Sequence, residues 1–250
     1  MSRVGIALRL GLREYRRTPI LLEVLIAAPA DVIVLFSLIT PATEVTVALA
    51  SGATVTTTHT ALTGVWMTPV AGAIIGGITG LFVMQMTREA DERLVVAGYR
   101  ARQVVLARLG MLGAIGLLVT VVATLTLVVM GVFLMGFTPA QLGWFALATV
   151  FATLIYGMIG VLVGTVLDTL SGVFLLLFVP VLDLFLYQDP VTPEPVAVAP
   201  YLPGHFPLRL TMEAAFTDNV GVAPVAGSLV WLTVVTALAT AAFSRSLHTT

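Results

Sequence analysis

The chain has 250 residues, of which 58% are hydrophobic and 10% charged, with a formal net charge of −1. Soluble globular domains carry roughly 25% charged residues, so water is excluded as the main solvent, and at about 20 apolar residues per span the length holds about five to seven bilayer crossings. Cysteine is absent, which excludes disulfides, thiolate metal sites and a cysteine nucleophile; lysine is absent too, so all twelve basic residues are Arg and a Walker A loop, which needs a Lys on the β- and γ-phosphates, is excluded.

Residues 1–18 interleave Arg3, Arg9, Arg13, Arg16 and Arg17 with Val4, Leu8, Leu12 and Tyr15 at spacings of three to four, the stripe of an amphipathic helix. The pattern predicts an elbow helix in the headgroup plane, with Arg9, Arg13, Arg16 and Arg17 near lipid phosphates. A cleaved signal peptide does not fit five arginines ahead of a full-length span with more spans behind it. Thr18 and Pro19 then supply an N-cap and a first-turn proline for a first span over 20–39. Pro41 ends it, and residues 41–63 read as a Thr-rich connection without a basic residue.

The second span is predicted over 65–86. Residues 87–108 follow with Arg88, Arg93, Arg100, Arg102 and Arg108 beside Glu89, Asp91 and Glu92. Arg88 with Glu92, and Glu89 with Arg93, stand four apart and meet on a helix surface, which predicts a short amphipathic helix over about 88–103. Spans over 109–135, 143–166 and 172–187 come next, with a tight turn at 168–171. A Pro-rich segment over 188–223 and a last span over 224–243 complete the chain. Counting Arg by side gives five at the N-terminus, five in 87–108 and Arg245 inside, against Arg209 outside. By the positive-inside rule both termini are cytoplasmic. The predicted fold is therefore all-α, a polytopic protein of the cell membrane with six transmembrane helices over 19–250 and an N-terminal elbow helix.

Inside the spans, Gly72, Gly76 and Gly80 repeat every four residues, as do Gly160 and Gly164, a spacing that lets helix backbones approach closely in lipid. Their partner is either another helix of the chain or a second copy at a dimer seam. Glu23 and Asp31 fall in the first span, eight residues and so about 12 Å apart along the axis. A carboxylate at the bilayer centre costs about 2.5–3.5 kcal/mol on insertion scales. Either it marks a substrate path or subunit seam, or it is a protonated or hydrogen-bonded packing residue. Asp183 is expected to reach the outer interface. His59, His205 and His248 lack paired metal-ligand spacing and read as solvated loop residues, so no metal is expected. No nucleophile elbow or phosphate loop occurs, and neither catalysis on this chain nor a nucleic-acid partner is expected.

Three stretches together resemble a known family. LREYRRTP at Leu12 to Pro19, READERLVVAGYRARQVVLARL at Arg88 to Leu109, and YLPGHFPLRLTMEAAF at Tyr201 to Phe216 are similar to segments of the ABC-2 permeases, the membrane subunits of type-2 ABC exporters. The resemblance implies that the inner helix couples to a separate ATPase subunit, which holds the ATP and Mg²⁺, through Arg88, Glu89, Asp91, Glu92, Arg93 and Arg100. It also implies a homodimer or heterodimer of permeases and short outer helices that dip back into the membrane within 188–223. Many relatives have a proline where this chain has Gly98 and Tyr99. The expected function is that of a permease subunit exporting an amphipathic or lipid-like cargo. The alternatives are a non-transporting membrane anchor for a soluble enzyme or assembly factor, and a secondary transporter, which should show inverted repeats with broken helices.

Overall fold

The computed structural model describes residues 19–49, 52–86, 101–188, 191 and 196–246. Helix α1 runs Pro19–Ile39 and ends where Thr40 returns its hydroxyl to the Phe36 carbonyl (2.7 Å), just before Pro41. The Thr-rich connection that follows contains an ordered hairpin. Glu44–Ala48 (β1) and Thr54–Thr58 (β2) form an antiparallel hairpin, in register from Glu44 opposite Thr58 to Ala48 opposite Thr54. The physical reason is the alternation of Val and Thr, β-branched side chains that suit a pleated, half-buried surface. Val47 and Leu49 turn into the core, and Gly52 takes a positive φ of 81° beyond β1.

Helix α2 (His59–Met86) begins six residues earlier than its apolar run predicts, because the hairpin delivers the chain to it directly: the His59 amide donates to the Thr43 carbonyl at 2.7 Å. Buried along nearly its whole length, α2 is the axis of the molecule. Helix α3 (Ala101–Met130) continues through a π-helical turn, Gly131–Met135, and stops at Gly136, whose φ of 61° is the left-handed cap that glycine adopts without penalty. Helix α4 (Leu142–Val166) packs on α2, and α5 (Thr169–Val181) starts at an Asp168 N-cap that accepts from the Ser171 amide at 2.8 Å. Those contacts from Ser171 hold the exposed Asp168 carboxyl below its usual range. Pro180 then interrupts α5, and a second π-helical turn, Leu182–Tyr187, follows at once. A 3₁₀ turn (Ala199–Tyr201), a short helix α6 (His205–Phe216) and α7 (Val222–Ser246) complete the described chain.

Five described helices are long and apolar enough to cross a membrane: His59–Gln85, Leu106–Met135, Leu142–Val166, Thr169–Tyr187 and Val222–Phe243. The described apolar part of α1, Ile26–Ile39, is shorter. Outward faces carry large apolar side chains, among them Leu117 and Leu125 on α3, Phe174 and Phe178 on α5, and Val230 and Leu238 on α7. Contiguous exposure of this kind is untenable in water and ordinary in lipid. The molecule is a mostly helical, polytopic membrane protein.

The α2/α4 seam is built of small residues. A methyl group added at Gly76 would overlap the Thr153 carbonyl, one at Gly80 the Gly157 carbonyl, and one at Gly160 the Gly77 carbonyl. A methyl at Gly72 would meet the side chains of Thr153 and Thr149 instead. The predicted glycine repeat therefore finds its partner inside the chain, where α4 covers the face that Gly72, Gly76 and Gly80 present.

Candidate functional site

At the end of the bundle formed by the C-terminus of α5 and the N-terminus of α4, the described residues gather a buried polar hub. Its centre is Asp183, the second residue of the π turn after Pro180, 4% exposed. A π turn widens the backbone and re-aims side chains, and here it points Asp183 and Leu184 inward together. The Tyr156 hydroxyl of α4 donates to Asp183 Oδ2, and the Gly204 amide donates to the same oxygen at 2.8 Å. The Gln188 side-chain amide donates to Oδ1 at 3.2 Å and to the Ala199 carbonyl at 3.0 Å. Three donors thus converge on one carboxylate, the arrangement that makes a buried charge tolerable where water is absent.

The chain of donors continues outward. His205 Nδ1 meets Gln188 Oε1 at 2.8 Å, and Arg209 Nη1 meets His205 Nε2 at 3.3 Å. A guanidinium only donates, so Nε2 must be the acceptor and Nδ1 must carry the proton that goes to Gln188. One direction then runs through the series: Arg209 to His205, His205 to Gln188, Gln188 to Asp183. Burial, and then the positive charge of Arg209, push the His205 pKa down to about 4, which keeps the ring neutral and able to accept.

The residues on either side of Asp183 bind other helices. The Trp66 indole of α2 donates to the Leu184 carbonyl at 2.6 Å, and its ring stacks on Phe185 at 4.9 Å between centroids. Phe185 also lies 6.5 Å from Phe36 of α1. Residues 183–185 therefore tie α5 to α1, α2, α4 and the start of α6. The far end of α6 is held as well. Its terminal carbonyls, at Ala214 and Ala215, accept from the amides of Gln141 (2.8 Å) and Ala140 (3.0 Å), satisfying groups a helix end leaves open. Glu213, itself buried, accepts from the Gly221 amide at 2.8 Å and so sits at the positive end of α7.

Two expectations are corrected by this geometry. Asp183 does not reach the outer interface, because the π turn directs it into the bundle. His205 is not a solvated loop residue, because Gly204 and Asp183 anchor it at the first position of α6, half-buried. His59 begins α2, and His248 lies outside the described residues. So do the elbow arginines Arg9, Arg13, Arg16 and Arg17 and the charged cluster Arg88, Glu89, Asp91, Glu92, Arg93 and Arg100. Glu23 belongs to α1, but its side chain lies outside what is described. Asp31 is exposed on α1, on the same face as Leu35 and Leu38. Among the described residues no group of three or more His, Asp or Glu is placed to hold a metal ion.

The sequence carries one signal for the hub that composition alone conceals: His205 and Arg209 stand four apart, the helical spacing that lets them touch. Compared with known proteins, the chain matches no family model, and no curated protein matches it.

Proposed function

We propose that the chain is the membrane-spanning subunit of an ATP-driven transporter of the ABC-2 type, exporting an amphipathic cargo with energy supplied by a separate ATPase subunit. The observation that carries this reading is the outer segment. Within Tyr201 to Phe216, one of the three stretches with the family resemblance, His205–Phe216 folds as a 12-residue helix pinned between α5 and α7. At 1.5 Å per residue it is about 18 Å long, too short for a hydrocarbon core of about 30 Å. It is the kind of short outer helix that the resemblance implies.

Helix α1, with 21 residues, is about 31 Å long and serves as the sixth crossing. The arginine tally puts both termini in the cytoplasm, and with them the 88–103 segment, where the ATPase docks. Two copies pair to form the conduit. The exposure of Asp31 beside Leu35 and Leu38 supports a pairing through α1, since a carboxylate in the middle of a span needs cover from lipid. ATP and Mg²⁺ belong to the partner ATPase.

Purification of the full chain from its native membrane in mild detergent tests the reading. Stoichiometric recovery of an ATPase is the expected result, and recovery of a different enzyme alone would overturn it in favour of an anchor. The Glu92→Ala/Arg93→Ala variant is expected to insert normally and to lose stimulation of that ATPase. Unchanged stimulation would remove the coupling role from these residues.

A further inference from the structure

Three exposed aromatic side chains share the end of the bundle that carries Asp183. Trp144 is the third residue of α4, Tyr187 closes the π turn after α5, and Tyr201 closes the 3₁₀ turn. Hydrogen bonds hold these stations at one end. The side chain of Gln188, next to Tyr187, donates to the Ala199 carbonyl at 3.0 Å, and the amides of Ala140 and Gln141, just ahead of Trp144, donate to the last carbonyls of α6.

The polar tips of the three rings are unspent. Among the described residues no hydrogen bond engages the Trp144 indole or the Tyr187 and Tyr201 hydroxyls, whereas the buried Trp66 indole and Tyr156 hydroxyl are both taken. An open ring with an apolar body and a free polar tip suits neither bulk water nor the middle of a bilayer. It suits the boundary between them.

Helix lengths place two of the rings there independently. With 25 residues α4 is about 37 Å long against a hydrocarbon core of about 30 Å, so roughly two residues stand beyond the core at each end and Trp144 is the next. The crossing Thr169–Tyr187 has 19 residues, about 28 Å at helical rise, so it just fills the core and ends on Tyr187. Tyr201 lies outside every crossing, yet it is 77% exposed and Val196 and Val198 beside it are exposed too. A turn clear of the bilayer would hold these apolar groups in water.

We propose that Trp144, Tyr187 and Tyr201 mark one plane, the junction of glycerol backbones and acyl chains in the leaflet at this end, and that the 3₁₀ turn rests on lipid there. The partner is the bilayer itself. Asp183, four residues before Tyr187, then lies within about 6 Å of that plane on the hydrocarbon side, where the chain itself must supply the donors to its carboxylate. The plane stands whether or not the chain is a transporter subunit.

Depth-dependent quenching of the full chain in phosphatidylcholine vesicles tests this. Trp66→Phe/Trp231→Phe leaves Trp144 as the one tryptophan. Its emission is expected to be lost most with acyl-chain bromine close to the glycerol and least with bromine at the chain ends. Greatest loss with bromine at the chain ends, loss to aqueous iodide alone, or no loss to either quencher, as under a protein cover, overturns the proposal. Spin labels on Trp144→Cys and Tyr201→Cys, in a chain with no other cysteine, read the same depth with Trp66 and Trp231 in place. Each label is expected to collide with dissolved oxygen and with an aqueous nickel chelate to a comparable extent, while a label on Phe178→Cys, on the outward face of α5, collides mainly with oxygen. Collision mainly with nickel, or mainly with oxygen, at either boundary position also overturns it. If Trp66→Phe/Trp231→Phe does not fold, the spin labels decide.

Discussion

The Tyr156 hydroxyl donates to the Asp183 carboxylate inside the bundle, joining the middle of α4 to the widened turn that ends α5. Both side chains are buried, so neither has water to fall back on. Tyr156→Phe removes one donor and is expected to lower stability by about 1–2 kcal/mol. Asp183→Ala strands the Tyr156 hydroxyl and the Gly204 amide, leaves the Gln188 amide only the Ala199 carbonyl, and is expected to cost about 3 kcal/mol or more. Thermal midpoints in detergent measure both. In the double-mutant cycle with Asp183→Asn, coupling of about 0.5–3 kcal/mol is expected, and additive effects would show that the two groups do not act together.

The His205 ring links acidity to the anchoring of α6. Its folded pKa, about 4, lies below the ordinary value of 6.5, so the released state binds the proton first. The contribution of the ring to stability is therefore complete above about pH 6.5 and is lost as pH falls toward 4. Protonation puts a second N–H against Arg209, which has no acceptor to offer. Hydrogen exchange of the α6 amides, corrected for the intrinsic rate at each pH, is expected to speed up across that window. In His205→Gln the acid-induced loss is expected to shrink, and a profile identical to wild type would refute the link.

Gly80 and Gly113 make a matched comparison. Alanine at Gly80 drives a methyl into the Gly157 carbonyl of α4, whereas nothing stands within 4 Å of a methyl at Gly113. Gly80→Ala is expected to lose about 1–3 kcal/mol or more through overpacking, and Gly113→Ala to be neutral or to gain up to about 1 kcal/mol from helix propensity. Thermal midpoints of the two variants should move apart.

Because the chain contains no cysteine, single-cysteine cross-linking has no background. If copies pair through the Asp31 face of α1, Leu35→Cys and Leu38→Cys form disulfide-linked dimers in the membrane under mild oxidation. Leu125→Cys, on the outward face of α3, stays monomeric. Cross-linking at Leu125 and not at Leu35 or Leu38 would relocate the seam.

Spanning helices are legible in the sequence because a long apolar run has one stable state in lipid, and the 143–166 run falls within one residue of α4, Leu142–Val166. The hairpin is visible in principle, in the alternation of Val and Thr at 45–47 and 54–56, but a threonine-rich stretch also reads as a plain connection. Asp183 was not legible. Its partners are a hydroxyl 27 residues earlier and a backbone amide 21 residues later, and no local pattern announces a backbone donor. The glycine repeat declared close packing but not the address of its partner, which is decided by the carbonyls of Thr153 and Gly157 on α4.

Helix α6 is fastened at both ends. Gly204 and His205 hold it to the end of α5, and Ala214, Ala215 and Glu213 hold it to the turn before α4 and the start of α7. A flap needs one free edge, and this helix has none. Any widening of that end of the bundle must carry α6 along with whichever of the three attachments stays intact, so the bond that breaks first sets the hinge. On the α5 side the attachment is two bonds, the Gly204 amide to Asp183 and His205 Nδ1 to Gln188, and both must part before α6 can leave α5.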